Sequence, residues 1–176
     1  MDSNRPITNI ALIGFMGTGK SSVGRILAQF LRFDFIDTDA LLEARAGRTV
    51  AEIFSQEGES RFRELEREIV GELAKKTATV IATGGGLGAE PANVAQLKTH
   101  ALVACLWASP ELIFERVHRQ THRPLLATPD PLSRIRELLS QREQAYKLAD
   151  ILISTEFRSP REVAQHVLHE FESARR

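Results

Sequence analysis

The stretch GFMGTGKS, residues 14–21, decides the fold. It satisfies G-x-x-x-x-G-K-[ST], follows the apolar run ITNIALI at 7–13, and leads into a segment of helical periodicity. Glycines in such a loop let successive backbone N–H groups turn inward around a phosphate. The N-terminus of the next helix adds a favourable partial charge. Lys20 then reaches the β- and γ-phosphates, and the Ser21 hydroxyl takes a Mg²⁺ position. A chance glycine turn is the competing explanation, and the strand–loop–helix frame argues against it. Nucleoside triphosphate binding follows, with the phosphoryl acceptor still unnamed.

Outward from the loop, apolar strand-like runs alternate with helical patterns. Residues 7–13 read as a buried parallel strand. Lys20–Leu31 carries Val23, Ile26, Leu27, Phe30 and Leu31 at the spacing of an amphipathic helix. Further strands are predicted at 33–36, 80–82, 101–107 and 151–153. Residues 39–75 hold no strand pattern and predict helices over 39–46, 49–56 and 59–75, broken at Gly47 and Gly58. A helix from Pro110, a proline- and arginine-rich loop, a helix over 132–148 and a last helix from Pro160 complete the chain. This alternation predicts an α/β domain spanning 1–176, its parallel sheet covered by helices on both faces.

The bulk numbers exclude several classes. The 176 residues carry 23 Lys+Arg and 23 Asp+Glu, so the gross basic footprint of a nucleic-acid binder is missing. No apolar run approaches the roughly 20 residues that span a bilayer, and the N-terminus has no leader pattern. A cytoplasmic, soluble protein without nucleic-acid or membrane partners is expected. The single cysteine, Cys105, lies in ALVACLW and predicts a buried, inert thiol with no disulfide.

Four further places could carry chemistry. Asp37-Thr38-Asp39 ends the second strand, and the carboxyl ends of parallel strands line the ligand crevice. On an extended chain the two carboxylates share a side, so Asp37 is expected toward the metal and Asp39 toward an acceptor hydroxyl. Asp39 as a plain helix N-cap is the alternative. In GESRFRELE (58–66), Arg63 and Glu66 form either a solvated surface pair or one guanidinium in a pocket walled by Phe54 and Phe62. THRPLLATPD (121–130) holds Arg123 in a loop suited to closing over a triphosphate, or merely exposed. Arg142 precedes Tyr146 by one helical turn, and a surface arginine there fits the pattern equally well. The run Gly84-Gly85-Gly86 follows the third strand. Backbone punctuation is one reading; a bare surface that an acceptor can approach, with N–H donors on offer, is the other.

Together GFMGTGKS, DTDALLEARAG, TVAEIFSQEGESRFRELE, TGGG and RPLL, followed by R-x-x-x-Y at 142–146, resemble shikimate kinase from about residue 10 to the last helix. The resemblance implies a nucleoside-monophosphate-kinase-like, three-layer P-loop fold. Its parts are a five-stranded parallel sheet, substrate-binding helices at about 39–75 and a lid at about 117–131. It implies a monomer that transfers the ATP γ-phosphoryl group to the 3-hydroxyl of shikimate, on the route to chorismate and the aromatic amino acids. By motif, Gly17, Thr18, Gly19, Lys20, Ser21 and Ser22 bind ATP, and Ser21 and Asp37 place Mg²⁺. Asp39 meets the shikimate hydroxyls as candidate base. Arg63, steadied by Glu66, and Arg142 hold the carboxylate. Gly84, Gly85 and Gly86 form the acceptor surface, with contact at Gly85. Arg123 is the lid arginine, and Arg116 and Arg158 lie near adenine. Paired arginines suit a carboxylate, and acidic acceptors suit hydroxyls. The asparagine of LGAEPANVAQLK lacks the arginine that many relatives carry after it, and His118 and His122 flank the lid as solvated residues. A related kinase of another polyol acid, such as gluconate, or a non-catalytic ligand sensor on the same fold, is the alternative.

Overall fold

The computed structural model describes residues 5–118 and 128–176. Arg123, His122 and most of the expected lid fall outside that range. Among the described residues five strands form one sheet: β1 (Asn9–Ile13), β2 (Asp34–Asp37), β3 (Thr79–Ala82), β4 (Ala101–Trp107) and β5 (Ile151–Ser154). Their order is β2-β3-β1-β4-β5 and every pairing is parallel.

The central place of β1 explains its sequence. It pairs with β3 on one side and β4 on the other, Ile10 lying opposite both Val80 and Leu102, and all five of its residues are buried. A strand covered on both faces needs a continuous apolar run rather than an alternating one. On one face Ile10, Leu12, Val80, Leu102 and Leu106 pack with Val23 and Leu27 of α1 (Lys20–Leu31) and with Val163, Val167 and Phe171 of α7 (Pro160–Ala174). On the other, Ala11, Ile13, Ile81, Val103 and Cys105 meet α2 (Thr38–Ala46), α3 (Val50–Leu73) and α4 (Pro91–Lys98) through Leu42, Ile69, Val70, Leu73, Val94 and Leu97. Each such Leu, Ile or Phe contributes about 1.5–3 kcal/mol of transfer free energy. A third cluster sits at the carboxyl ends of the strands. There Phe15, Met16 and Ala108 pack with Ile113 and Val117 of α5 (Pro110–Val117) and Ile135 and Leu138 of α6 (Pro131–Tyr146).

The departures from expectation have local causes. Phe33 lies between α1 and β2 instead of in β2: its N–H donates to the Ala28 carbonyl at 2.9 Å, past Arg32 in the left-handed conformation. The breaks at Gly47 and Gly58 are real but unequal. Gly47 (φ 62°) ends α2, whereas Gly58 (φ 79°, ψ 173°) is a non-helical residue inside α3, where two helical segments meet across a kink. Thr49 and Glu52 start α3 with a reciprocal capping box. The helix predicted over 132–148 begins at Pro131 and stops at Tyr146. A short 3-10 turn, Leu87–Ala89, and α4 had no counterpart in the sequence reading. Pro91 in the first turn and Val94 and Leu97 three residues apart were the signals for α4. Among the described residues no helix is long and apolar enough to cross a membrane.

Candidate active site

The loop after β1 delivers its groups to one end of the sheet. Gly14, Gly17 and Gly19 all hold positive φ, at 132°, 77° and 90°, which favours glycine. Gly19 is the N-cap of α1, so that helix's N-terminus opens directly onto the loop. The Lys20 ammonium lies folded into the loop, donating to the Phe15 carbonyl at 2.8 Å, and the Thr18 hydroxyl donates to the same oxygen at 2.8 Å. Gly17, Thr18, Gly19 and Ser22 line a cavity of about 300 Å³ together with Arg116, Thr155, Arg158 and Pro160. Arg116 is fixed there by donating to Gly17 O (3.2 Å), Thr155 Oγ1 (2.9 Å) and Thr155 O (3.0 Å). Arg158 is more loosely placed, exposed and donating to Ser154 O at 3.3 Å. Both arginines therefore border the cavity that the loop opens into.

At the end of β2 the two aspartates meet different neighbours. The chain turns helical at Thr38, so the extended-strand argument fails one residue too early. Asp37, not Asp39, is the N-cap of α2: its Oδ1 accepts from the N–H groups of Asp39 and Ala40. Its Oδ2 accepts the Ser21 hydroxyl at 2.7 Å. Two hard oxygen donors thus stand in contact beside the phosphate loop, a donor set suited to Mg²⁺. Asp39 lies instead over β3's continuation, where a Cβ on Gly84 would overlap its carboxylate.

The three glycines form the floor on which the acceptor groups converge. Gly84 makes room for Asp39, and a side chain at Gly86 would overlap the Arg63 guanidinium. Gly85 accepts from Arg142 Nη1 at 3.0 Å through its carbonyl, and a Cβ there would meet nothing closer than 3.8 Å. None of the three has positive φ, so space rather than backbone conformation explains them. One expected donor is already used: the Gly84 N–H donates to Thr38 Oγ1 at 2.8 Å, tying the end of β3 to α2.

Arg63 is held by two carboxylates, Glu66 at 2.6 Å and Glu59 at 3.0 Å. Phe62 lies under it, the guanidinium carbon 5.6 Å from the ring centroid, and Phe54 packs on Phe62 at 4.5 Å. The Arg63–Glu66 pair is thus part-buried beside Phe62 instead of a fully solvated surface pair. Glu66 is 2% exposed, and burial pushes its carboxyl up against the opposing pull of Arg63, with the neighbouring Asp39 adding to the rise. Its Oε1 has no hydrogen-bond partner among the described residues. Arg142 stacks over Phe15 at 5.2 Å. The Tyr146 hydroxyl is buried near it, and burial pushes that phenol up to about 12 against the opposing pull of Arg142. Cys105 is buried as expected, its thiol pushed up to about 12 by desolvation.

Asp39, Arg63, Arg142 and the glycine floor are therefore brought together, with Ser21, Asp37 and Lys20 at the adjoining loop. Arg123 lies outside the described residues. His118, at the end of α5, is exposed and stacked on Phe114. Phe15, Thr38 and Glu66 Oε1 are the groups that motif reading passed over or undervalued. Phe15 occupies an unconstrained position of the loop pattern, and Thr38 is hidden between two carboxylates that draw the eye.

The chain is similar to known proteins along most of its length. The family model described as shikimate kinase matches residues 16–172. A shikimate kinase of Thermodesulfovibrio yellowstonii is 48% identical over 164 residues, 93% of this chain and 95% of the relative. The structure of an Acinetobacter baumannii shikimate kinase in complex with shikimate superposes with a TM-score of 0.89 at 38% identity, covering 95% of this chain and 94% of that one. A gluconokinase from Sinorhizobium meliloti, at 18% identity and a TM-score of 0.60, covering 97% of this chain and 94% of that one, shares the fold alone.

Proposed function

The chain belongs to the shikimate kinase family, and on that premise we propose how its residues perform ATP-dependent phosphorylation of shikimate. The observation that carries the reading is the convergence of Asp39, Arg63 and Arg142 on three glycines beside the phosphate loop. Shikimate offers one carboxylate and three hydroxyls. Arg63 and Arg142 take the carboxylate as guanidinium forks, and Asp39 accepts the 3-hydroxyl proton as that oxygen bonds to the γ-phosphorus and the bond to the β–γ bridging oxygen breaks, leaving ADP. Glu66 holds Arg63, and its open Oε1 is an acceptor for a substrate hydroxyl or a bridging water. Gly85, the one glycine of the three with clearance above it, is the acceptor's contact surface, and Gly84 and Gly86 serve by leaving room for Asp39 and Arg63. We assign acceptor binding to the helices over residues 39–75.

On the donor side the loop residues 17–22 cradle the phosphates, with Lys20 drawn from the Phe15 carbonyl toward the β- and γ-oxygens. Ser21 and Asp37 would hold Mg²⁺, which supplies charge neutralisation at the phosphates when bound. Arg116, with Arg158 at the rim, borders the cavity proposed for the nucleobase. Arg123 is proposed to close over the transferred group. The proposal includes a monomer acting in the cytoplasm.

The test is an ADP-release assay run in parallel on shikimate, gluconate and nucleoside monophosphates. Saturable turnover is expected with shikimate only. Saturation by gluconate with no response to shikimate would refute the reading.

A further inference from the structure

Phe15 occupies a position the phosphate-loop pattern leaves open, yet it is one of the largest fully buried side chains, 1% exposed. Three different parts of the site meet on it. Its carbonyl accepts from Lys20 Nζ and from the Thr18 hydroxyl, both at 2.8 Å. The face of its ring lies 5.2 Å below the Arg142 guanidinium, which donates to Gly85. The ring also packs in the cluster formed by Ile113 and Val117 of α5 and Ile135 and Leu138 of α6. The two loops touch beside it, with the Met16 nitrogen 3.8 Å from where a Gly85 Cβ would stand. One residue of the donor loop is thus the platform for an arginine of the acceptor site.

We propose that Phe15 is a positioning residue for Arg142 and the energetic link between the two substrate sites. A nucleotide's phosphates compete for the Lys20 donors now spent on the Phe15 carbonyl. Any resettling of that backbone moves the ring on which Arg142 rests. A cation over an aromatic face is worth roughly 0.5–2 kcal/mol, so the platform controls acceptor affinity by about 2- to 30-fold. Coupling of this kind is reciprocal: if nucleotide alters shikimate affinity by some factor, shikimate alters nucleotide affinity by the same factor. The inference rests on Arg142 holding the shikimate carboxylate, as proposed above.

The experiment is calorimetric titration of shikimate into the enzyme with and without saturating MgADP, for wild type, Phe15→Leu, Arg142→Lys and the double variant. Phe15→Leu keeps an apolar side chain of similar reach but removes the π face; Phe15→Met serves if the leucine variant fails to fold. The wild-type ratio of the two shikimate Kd values is expected to differ from one. In Phe15→Leu the shikimate Kd should rise roughly 3- to 10-fold, within the range of a lost cation–π contact, and the ratio should move to one. The double variant should lose less than the product of the single losses. A wild-type ratio of one, an unchanged ratio in Phe15→Leu, or strictly multiplicative losses would each overturn the inference. Arg142→Lys with unchanged shikimate affinity would instead refute the assignment of Arg142, a failure that the single variant reveals by itself.

Discussion

Glu66 illustrates how a residue's environment matters more than its type. It is buried, its Oε2 is 2.6 Å from Arg63, and its carboxyl is pushed above the ordinary 4.5 by desolvation. A raised carboxyl pKa means that the folded enzyme takes up this proton earlier than a free glutamate as pH falls. The charge that holds Arg63 is then lost at a pH above 4.5, and shikimate KM should rise on that acid side while ATP KM stays flat. Glu66→Gln should remove the acid limb from the shikimate KM profile; a limb that persists unchanged assigns it to another group. The glycines make a second test, because each is bare for a different neighbour. Gly86→Ala pushes the Arg63 guanidinium aside and should raise shikimate KM by about 10-fold or more, a lost charge-assisted contact of about 1.5–3 kcal/mol. Gly84→Ala displaces Asp39 and should fall mainly on kcat. Gly85→Val should fold, having 3.8 Å of clearance at its Cβ, and lose shikimate affinity while keeping that for ATP. Equal effects of all three on both substrates would mean that the run is only a turn. The sequence pattern located these glycines and the arginines, but it could not tell which glycine serves which side chain. That pairing depends on contacts between residues 39, 63 and 142 and the far end of β3, and no local signal carries it.

At the scale of elements, what was legible is what local chemistry dictates. The fully apolar β1, the glycine-led α1 and the capping box at Thr49 announce themselves within a few residues. α4 did not, because eight residues with two buried apolar positions make a weak periodic signal. The placement of the N-cap on Asp37 was also hidden. A carboxylate at either position can cap, and only the tertiary contact with Ser21 together with the turn at Thr38 decides between them. The kink at Gly58 is the element most exposed to test. Its φ of 79° favours glycine, while nothing lies within 4 Å of a Cβ placed there. Gly58→Ala should therefore cost roughly 1 kcal/mol through backbone conformation alone, without steric conflict. Thermal unfolding should show a fall of about 2–4 °C for each such kcal/mol in a chain of this size. The kink sets the angle between the segment carrying Phe54 and the one carrying Phe62 and Arg63, so shikimate KM should rise alongside. A variant of unchanged stability and KM would mean that α3 can straighten without disturbing the pocket.

On the proposed reading the whole molecule divides the reaction between two sides of one sheet end: donor groups from the loop after β1 and the cavity bounded by Arg116 and Thr155, acceptor groups from α2, α3, α6 and the loop after β3. Behind both, Cys105, in β4, is fully buried with its thiol pushed up to about 12, and it should react with thiol reagents only after unfolding. Rapid labelling of the native enzyme would mean that the core opens at β4. The division also predicts that the two halves can be disabled separately. A ligand at 100 times its Kd stabilises the folded state by about 2.7 kcal/mol, hence a rise of roughly 5–10 °C in Tm for a chain of this length. Lys20→Ala should lose most of the rise caused by MgATP and all measurable turnover, yet keep the rise caused by shikimate. Arg63→Ala should do the reverse, keeping the nucleotide response and losing the shikimate response. The two variants form a matched pair because Lys20 opens α1 at the phosphate loop whereas Arg63 is carried by α3. If Arg63→Ala abolished both responses, its ion pair with buried Glu66 would be holding the fold rather than the substrate. The unliganded Tm would then fall as well, as expected when a buried carboxylate loses its ion-pair partner.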